Sequence, residues 1–234
     1  MRHSRVAILR AVRVLQTICL AVGACLAGCG GGSDDDTPRL VATLGDSITA
    51  GALRWAPDPE FRASVIRGRP TPASQWQHWA EQELSGEYRF RNCGVWGDRT
   101  EQLETRLEQC ATDADVLVIQ GGTNDITQDR PPAEAATNIR EMIRRAQDSG
   151  LDVLVTTLPP INARFPEWRA EVDRLNELIG DLASEADVPV IDFFGVLEDP
   201  DRADRIRPEW TSDGLHPTIE GYAQIGRAAA DELR

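Results

Sequence analysis

Leu40-Val41-Ala42-Thr43-Leu44-Gly45-Asp46-Ser47-Ile48-Thr49 is the stretch on which the fold turns. Its first five residues, apolar but for Thr43, show no helical spacing and end on a glycine, the pattern of a short strand. Ser47 then falls immediately past the strand end, where a hydroxyl is exposed at the rim of a sheet and the serine's own N–H can face an incoming carbonyl. A Gly-Asp-Ser turn taken alone is more often a structural cap than a site.

Outward from this stretch, short apolar or β-branched runs bounded by glycine, proline or acid recur at Tyr88–Phe90, Val116–Gln120, Val153–Leu158 and Val188–Phe193, the Tyr88 run being the weakest. Between them Ala73–Leu84, Thr100–Cys110, Ala133–Gln147 and Glu167–Ala186 carry helical spacing, and Ile219–Leu233 closes the chain as a fifth helix. No internal repeat is visible. Strands alternating with helices predict one α/β domain, a parallel sheet of five strands covered by helices on both faces. Ligands of such sheets bind beyond the carboxyl ends of the strands, so the residues after each strand are where chemistry is expected.

Four of those places carry unusual residues: Gly45-Asp46-Ser47, Asn92-Cys93-Gly94-Val95-Trp96-Gly97-Asp98, Gly121-Gly122-Thr123-Asn124-Asp125 and Asp213-Gly214-Leu215-His216. In the last, an acid and a histidine three apart let one turn bring the carboxylate to the imidazole Nδ1–H, leaving Nε2 free for a serine hydroxyl. Singly each is weak. Together they supply nucleophile, base, orienting acid and oxyanion donors at one sheet edge.

These four blocks resemble those of the SGNH or GDSL hydrolases, and the likeness spans Leu40 to the C-terminus. The resemblance implies a flavodoxin-like α/β/α sandwich with strand order 2-1-3-4-5, and it lacks a Gly-x-Ser-x-Gly elbow, as this chain does. Carried over by position, Ser47 is the nucleophile, His216 the base and Asp213 its partner. The oxyanion hole falls to the Ser47 and Gly97 backbone N–H groups and the Asn124 amide, Gly97 being preferred to Gly94 for its spacing from Asn92. The activity implied is hydrolysis of carboxylic esters through an acyl-enzyme, without metal or organic cofactor. Rivals are acyl transfer or carbohydrate O-deacetylation on the same site, and a catalytically silent lipoprotein that binds glycans or lipids. Family members act on lysophospholipids, aryl and short-chain esters, thioesters and acetylated sugars. One departure from the pattern is a long segment from Gly51 to Pro72, which affects the shape of the substrate pocket.

Composition narrows the chemistry further. All 25 basic residues are arginine, so Walker-type phosphate loops, Ser-Lys dyads and Schiff bases are excluded. The net charge of −13 opposes nucleic-acid binding. Outside the first residues the histidines are His78 and His216, too few for a multi-histidine zinc site. His78 lies between Trp76 and Trp79, whose helical spacing points them to the core and His78 to solvent. Trp55, Trp96 and Trp210 flank the catalytic blocks and suit either packing or an aromatic wall for substrate.

The N-terminus reads as a leader. Arg2, Arg5, Arg10 and Arg13 precede a run from Val14 to Ala27 that is apolar apart from Gln16 and Thr17; at 1.5 Å per residue it reaches about 21 Å, short of the roughly 30 Å needed to span a bilayer. Leu26-Ala27-Gly28-Cys29 resembles the lipobox of bacterial lipoproteins, which implies a signal peptide over 1–28 and lipidation of Cys29. The polar, glycine-rich residues from Gly30 to Thr37 then make residues 29–38 a tether and 39–234 the hydrolase domain. A cell-envelope lipoprotein follows, with Gly30 favouring the outer membrane, acting as a monomer on small-molecule, lipid or sugar esters. Cys93 and Cys110 are expected to remain unpaired. Cys93 ends a strand while Cys110 ends a helix returning roughly 15 Å, whereas a bridge needs Cα atoms within about 7 Å.

Overall fold

The computed structural model describes residues 37–54, 70–162 and 166–234. The leader, Cys29, most of the tether and Trp55 lie outside the described residues. Strand β1 (Arg39–Gly45) passes into a single helical turn, α1 (Ser47–Ala50), and after a 3-10 turn at Pro72–Ser74 come α2 (Trp76–Glu83) and β2 (Tyr88–Gly94). Two short helices, α3 (Thr100–Thr105) and α4 (Leu107–Ala111), lead to β3 (Val116–Ile119), α5 (Thr123–Thr127), α6 (Pro132–Asp148) and β4 (Asp152–Thr156). The chain ends with α7 (Glu167–Ala186), β5 (Val190–Ile191), α8 (Phe193–Leu197), β6 (Glu198–Asp199), β7 (Arg202–Ile206) and α9 (Ile219–Leu233).

The five strands β1 to β5 form one parallel sheet in the order β2-β1-β3-β4-β5, the α/β/α arrangement expected. Alternate strand residues feed two cores. Leu117 and Ile119 of β3, with Val153 and Val155 of β4, pack under α6 and α7; Val116, Val118 and Leu154 pack on the other face against α2 and α9. α6 meets the sheet through Ala135, Ala136, Ile139, Met142, Ile143 and Ala146, the three-and-four spacing of one helical face. On the opposite side Trp76 is fully buried and meets Phe90 and Phe193 edge to face at 6.1 and 5.7 Å.

Several boundaries differ from expectation for local reasons. β2 runs on from Phe90 to Gly94, paired residue for residue with β1; as an edge strand it carries Arg89, Arg91 and Asn92 and so lacks an apolar signal. β4 stops at Thr156 because the Leu158 N–H and C=O are both taken by the Asn176 side chain, at 2.7 and 3.1 Å. β5 keeps only Val190 and Ile191, since Pro189 has no N–H to donate and the Asp192 carboxylate caps α8 through the Gly195 N–H. The small β6–β7 hairpin, rich in charge, has no counterpart in the sequence reading.

The separation of Cys93 and Cys110 is a correction. They form a disulfide with Cα atoms 5.9 Å apart. The expectation takes the stretch as one straight helix; it breaks instead at Arg106, whose Nη1 donates to the Cys93 carbonyl at 2.6 Å, and the short α4 that follows ends with Cys110 alongside Cys93.

Candidate active site

β1 is the sheet strand flanked by β2 and β3, and its carboxyl end is where the chain changes direction. Asp46 makes that turn: its carboxylate accepts the Ile48 N–H at 2.9 Å and sets Ser47 as the first residue of α1. From the other end of the chain, His216 places Nε2 3.0 Å from Ser47 Oγ. The Asp213 Oδ2 lies 2.9 Å from His216 Nδ1, while its Oδ1 accepts the Leu215 and His216 N–H groups at 2.9 and 2.8 Å. Asp213 and His216 therefore meet across a tight turn just before α9, held further by Thr211 Oγ1, which donates to the His216 carbonyl at 2.9 Å.

Electrostatics match this geometry. Burial alone would raise the Asp213 carboxyl, but the hydrogen bond and charge of His216 and the two backbone N–H groups outweigh it and hold it at about 2. An ionised Asp213 fixes a proton on Nδ1 and leaves Nε2 to accept one from Ser47. His216 is 3% exposed, so the exchange is shielded from bulk water. Asp46 differs: fully buried, its carboxyl is pushed up to about 6 by burial, against the Ile48 N–H and the charge of His216. Tyr222, whose hydroxyl donates to the Ala52 carbonyl at 2.7 Å, is raised well above its ordinary value by burial and the nearby Asp46 and Asp213 carboxylates.

The expected oxyanion donors come to the same edge. Asn124 sits on α5, past β3, and its Nδ2 donates to the Asp98 carbonyl at 2.9 Å and lies 3.5 Å from Asp46 Oδ2. Gly97 occupies φ 81°, a conformation that favours glycine, in the turn after β2. The Gly94 N–H is engaged, donating to Asn92 Oδ1 at 2.8 Å. The lack of a side chain at Gly94 serves packing, since a Cβ there would come 2.1 Å from the Ala50 nitrogen.

Sequence reasoning gave no role to the residues that hold this set together. Gln120 Oε1, at the end of β3, accepts the Asp46 and Thr49 N–H groups at 3.3 and 3.2 Å and the Thr49 hydroxyl at 2.7 Å. Asp125 accepts the Thr100 N–H and hydroxyl at 3.0 and 2.7 Å, tying the start of α3 to the Asn124 turn. The signal available was a buried-strand run ending in glutamine, and an acid next to Asn124. His78 lies apart from the site, half-buried on α2 and bonded to Gln82 at 3.0 Å. Trp210 packs beneath the Arg207 guanidinium, 4.6 Å from its ring centre, and Trp96 is half-buried in the Gly97 turn.

Leu53, Val95 and Ile219 are exposed large apolar residues: Leu53 follows α1, Val95 follows β2, and Ile219 opens α9 three residues after His216. A cavity of about 600 Å³ lined by Leu53, Ser212, Thr218 and Ile219 opens beside the Asp213 turn. Another, of about 320 Å³, lies at the opposite end of the strands near Arg39 and Asp152, away from the chemistry. Among the described residues no group of three or more His, Cys, Asp or Glu side chains is arranged to hold a metal.

Comparison with known proteins gives a consistent result. The model of the GDSL-like lipase/acylhydrolase family matches residues 43–224. An arylesterase of Vibrio mimicus is 27% identical over 198 residues, covering 81% of this chain and 86% of its own. The aryl esterase of M. smegmatis is similar in structure with a TM-score of 0.67 at 21% identity, over 84% of this chain and 98% of that one. A lipase/acylhydrolase from Enterococcus faecalis has a TM-score of 0.65 at 24% identity, over 83% and 95%.

Proposed function

This chain belongs to the GDSL-like lipase/acylhydrolase family and is a serine hydrolase of carboxylic esters, and from that premise we propose that Ser47 attacks, His216 and Asp213 drive it, and the Ser47 N–H, Gly97 N–H and Asn124 amide hold the oxyanion. The observation that carries the assignment is the line Ser47 Oγ, His216 Nε2 at 3.0 Å, His216 Nδ1, Asp213 Oδ2 at 2.9 Å. His216 takes the hydroxyl proton as Ser47 Oγ bonds to the ester carbon, and the carbonyl oxygen gains charge among the three donors. The tetrahedral species collapses as His216 passes its proton to the departing alcohol. Water, deprotonated by the same imidazole, then releases the acid and restores Ser47.

Small-molecule esters are the substrates; within that class, aryl and short-chain acyl esters are the proposed preference. The similarity to an arylesterase and the apolar Leu53, Val95 and Ile219 at the site's edge support it. We further propose an exported, Cys29-anchored envelope protein that acts as a monomer. The leader pattern supports export, as does a disulfide, which persists in oxidising compartments.

The test is a series of p-nitrophenyl esters of increasing chain length, with fluorophosphonate labelling of wild type and Ser47→Ala. Wild type should label and turn over the shorter esters best, and Ser47→Ala should do neither. Ordinary turnover by Ser47→Ala would overturn the assignment of the nucleophile, and a preference for long chains would overturn that of the substrate.

A further inference from the structure

Arg106 stands at the break between α3 and α4, facing the ends of two strands. Its Nη2 donates to the Gly45 carbonyl at 2.8 Å, its Nη1 to the Cys93 carbonyl at 2.6 Å, and its Nε to Asp98 Oδ2 at 2.7 Å. Each acceptor lies on a segment that carries or holds an oxyanion donor. Gly45 precedes the Asp46-Ser47 turn, Cys93 lies one residue from the end of the strand that feeds the Gly97 turn, and Asp98 follows Gly97 and accepts Asn124 Nδ2 through its own carbonyl at 2.9 Å.

We propose that Arg106 is a positioning residue for the oxyanion hole, fixing the Ser47 N–H, the Gly97 N–H and the Asn124 amide relative to one another without touching the substrate. The inference rests on the site assignment given above. Three acceptors in different directions suit a planar guanidinium with five N–H donors in a rigid fork, and do not suit an ammonium, a compact charge at the end of a flexible stem. The Asp98 partner is mostly shielded, its side chain 11% exposed against 21% for Arg106, so the pair orients the guanidinium where surface ion pairs would not. Oxyanion donors act only when already in place as charge develops, so an error of a few tenths of an ångström in their spacing falls on the transition state and not on ester binding.

The experiment measures kcat and KM for p-nitrophenyl acetate, with melting temperatures, for wild type, Arg106→Met, Arg106→Lys, Asn124→Ala and Arg106→Met/Asn124→Ala, each well below its melting point. Arg106→Met should lower kcat by on the order of 10- to 100-fold, less than the 10²–10³ expected for deleting a donor outright, with KM nearly unchanged. Arg106→Lys should recover part of this. The double variant should lose much less than the product of the single losses, because without the Asn124 amide part of what Arg106 positions is gone. Losses that multiply, a loss appearing in KM, or full activity in Arg106→Lys would overturn the proposal. If Arg106→Met does not fold, Arg106→Lys and Asp98→Asn carry the same kcat-against-KM reading, and unchanged kcat in both overturns it. Should Asn124→Ala alone keep its kcat, the oxyanion assignment fails independently of anything seen at Arg106.

Discussion

The Cys93–Cys110 bond gives the most direct quantitative prediction. The two residues are 17 apart in sequence, and closing a loop of that length in the unfolded chain removes entropy equivalent to about 3 kcal/mol at 25 °C. For a domain of this size each kcal/mol shifts the melting temperature by roughly 2–4 °C, so Cys93→Ala/Cys110→Ala should melt about 6–12 °C below wild type. Alanine is the right replacement because Cys110 is 4% exposed and packs among Leu103, Leu107 and Leu117, where a serine hydroxyl would add a separate penalty. The assay is thermal unfolding with and without reductant, after equilibration long enough for the buried sulfur to be reached through opening of the chain. Reductant should lower the wild type toward the double variant and leave the variant where it was. Alkylation of Cys93 and Cys110 should require prior reduction. Coincident melting of oxidised and reduced wild type, or direct alkylation without reductant, would refute both the bond and the reasoning that brings Cys110 alongside Cys93 through the break at Arg106.

Asp213→Asn should lower kcat by on the order of 10⁴ while the protein stays folded. Its Oδ1 can still accept the Leu215 and His216 N–H groups, but an amide facing Nδ1 moves the imidazole proton to Nε2, and kcat within tenfold of wild type would exclude that role. Asp46 titrates in the folded chain at about 6 against 3.8 unfolded, so it favours folding at low pH, and that contribution, about 3 kcal/mol, is lost as pH rises from about 4 to about 6. Asp46→Asn should flatten the fall of melting temperature across this window, and an unchanged slope would count against a buried, proton-holding Asp46. Asp213, held at about 2, has the opposite sign: its stabilisation is present above about 4 and is lost as pH falls toward 2. Cys29→Ser should move a membrane-partitioning protein to the soluble fraction, and wild type already soluble without detergent would end the lipobox reading.

What was legible in the sequence follows from how each feature is encoded. Ser47 and Asn124 stand in short blocks after sheet strands, so the α/β alternation brings them to one edge, whereas Asp213 and His216 lie beyond the unforeseen β6–β7 hairpin and were reached through the acid–histidine spacing and the family resemblance. Glu167–Ala186 and Ile219–Leu233 were readable to the residue because each buries a continuous stripe at helical spacing. The edge strand β2 was half-missed because one side of it needs no apolar residue. The disulfide was missed because pairing depends on the path of the helical stretch in space, and its break at Arg106 leaves no mark on periodicity. Arg106 and Gln120 were invisible for a related reason: two of the three partners of each are backbone carbonyls or N–H groups, which carry no residue identity.

Ser47 and His216 are 169 residues apart, and the contacts that accompany theirs are as distant: Tyr222 bonds to Ala52 across 170 residues and Ser212 to Leu53 across 159. The nucleophile is thus made early in synthesis and its base last. Until the Asp213–His216 turn and α9 have docked on α2 and the end of β1, the chain has a serine hydroxyl with no group to take its proton. Hydrolytic power therefore requires the two ends of the domain to have met, and activity in a refolding experiment cannot appear before that closure.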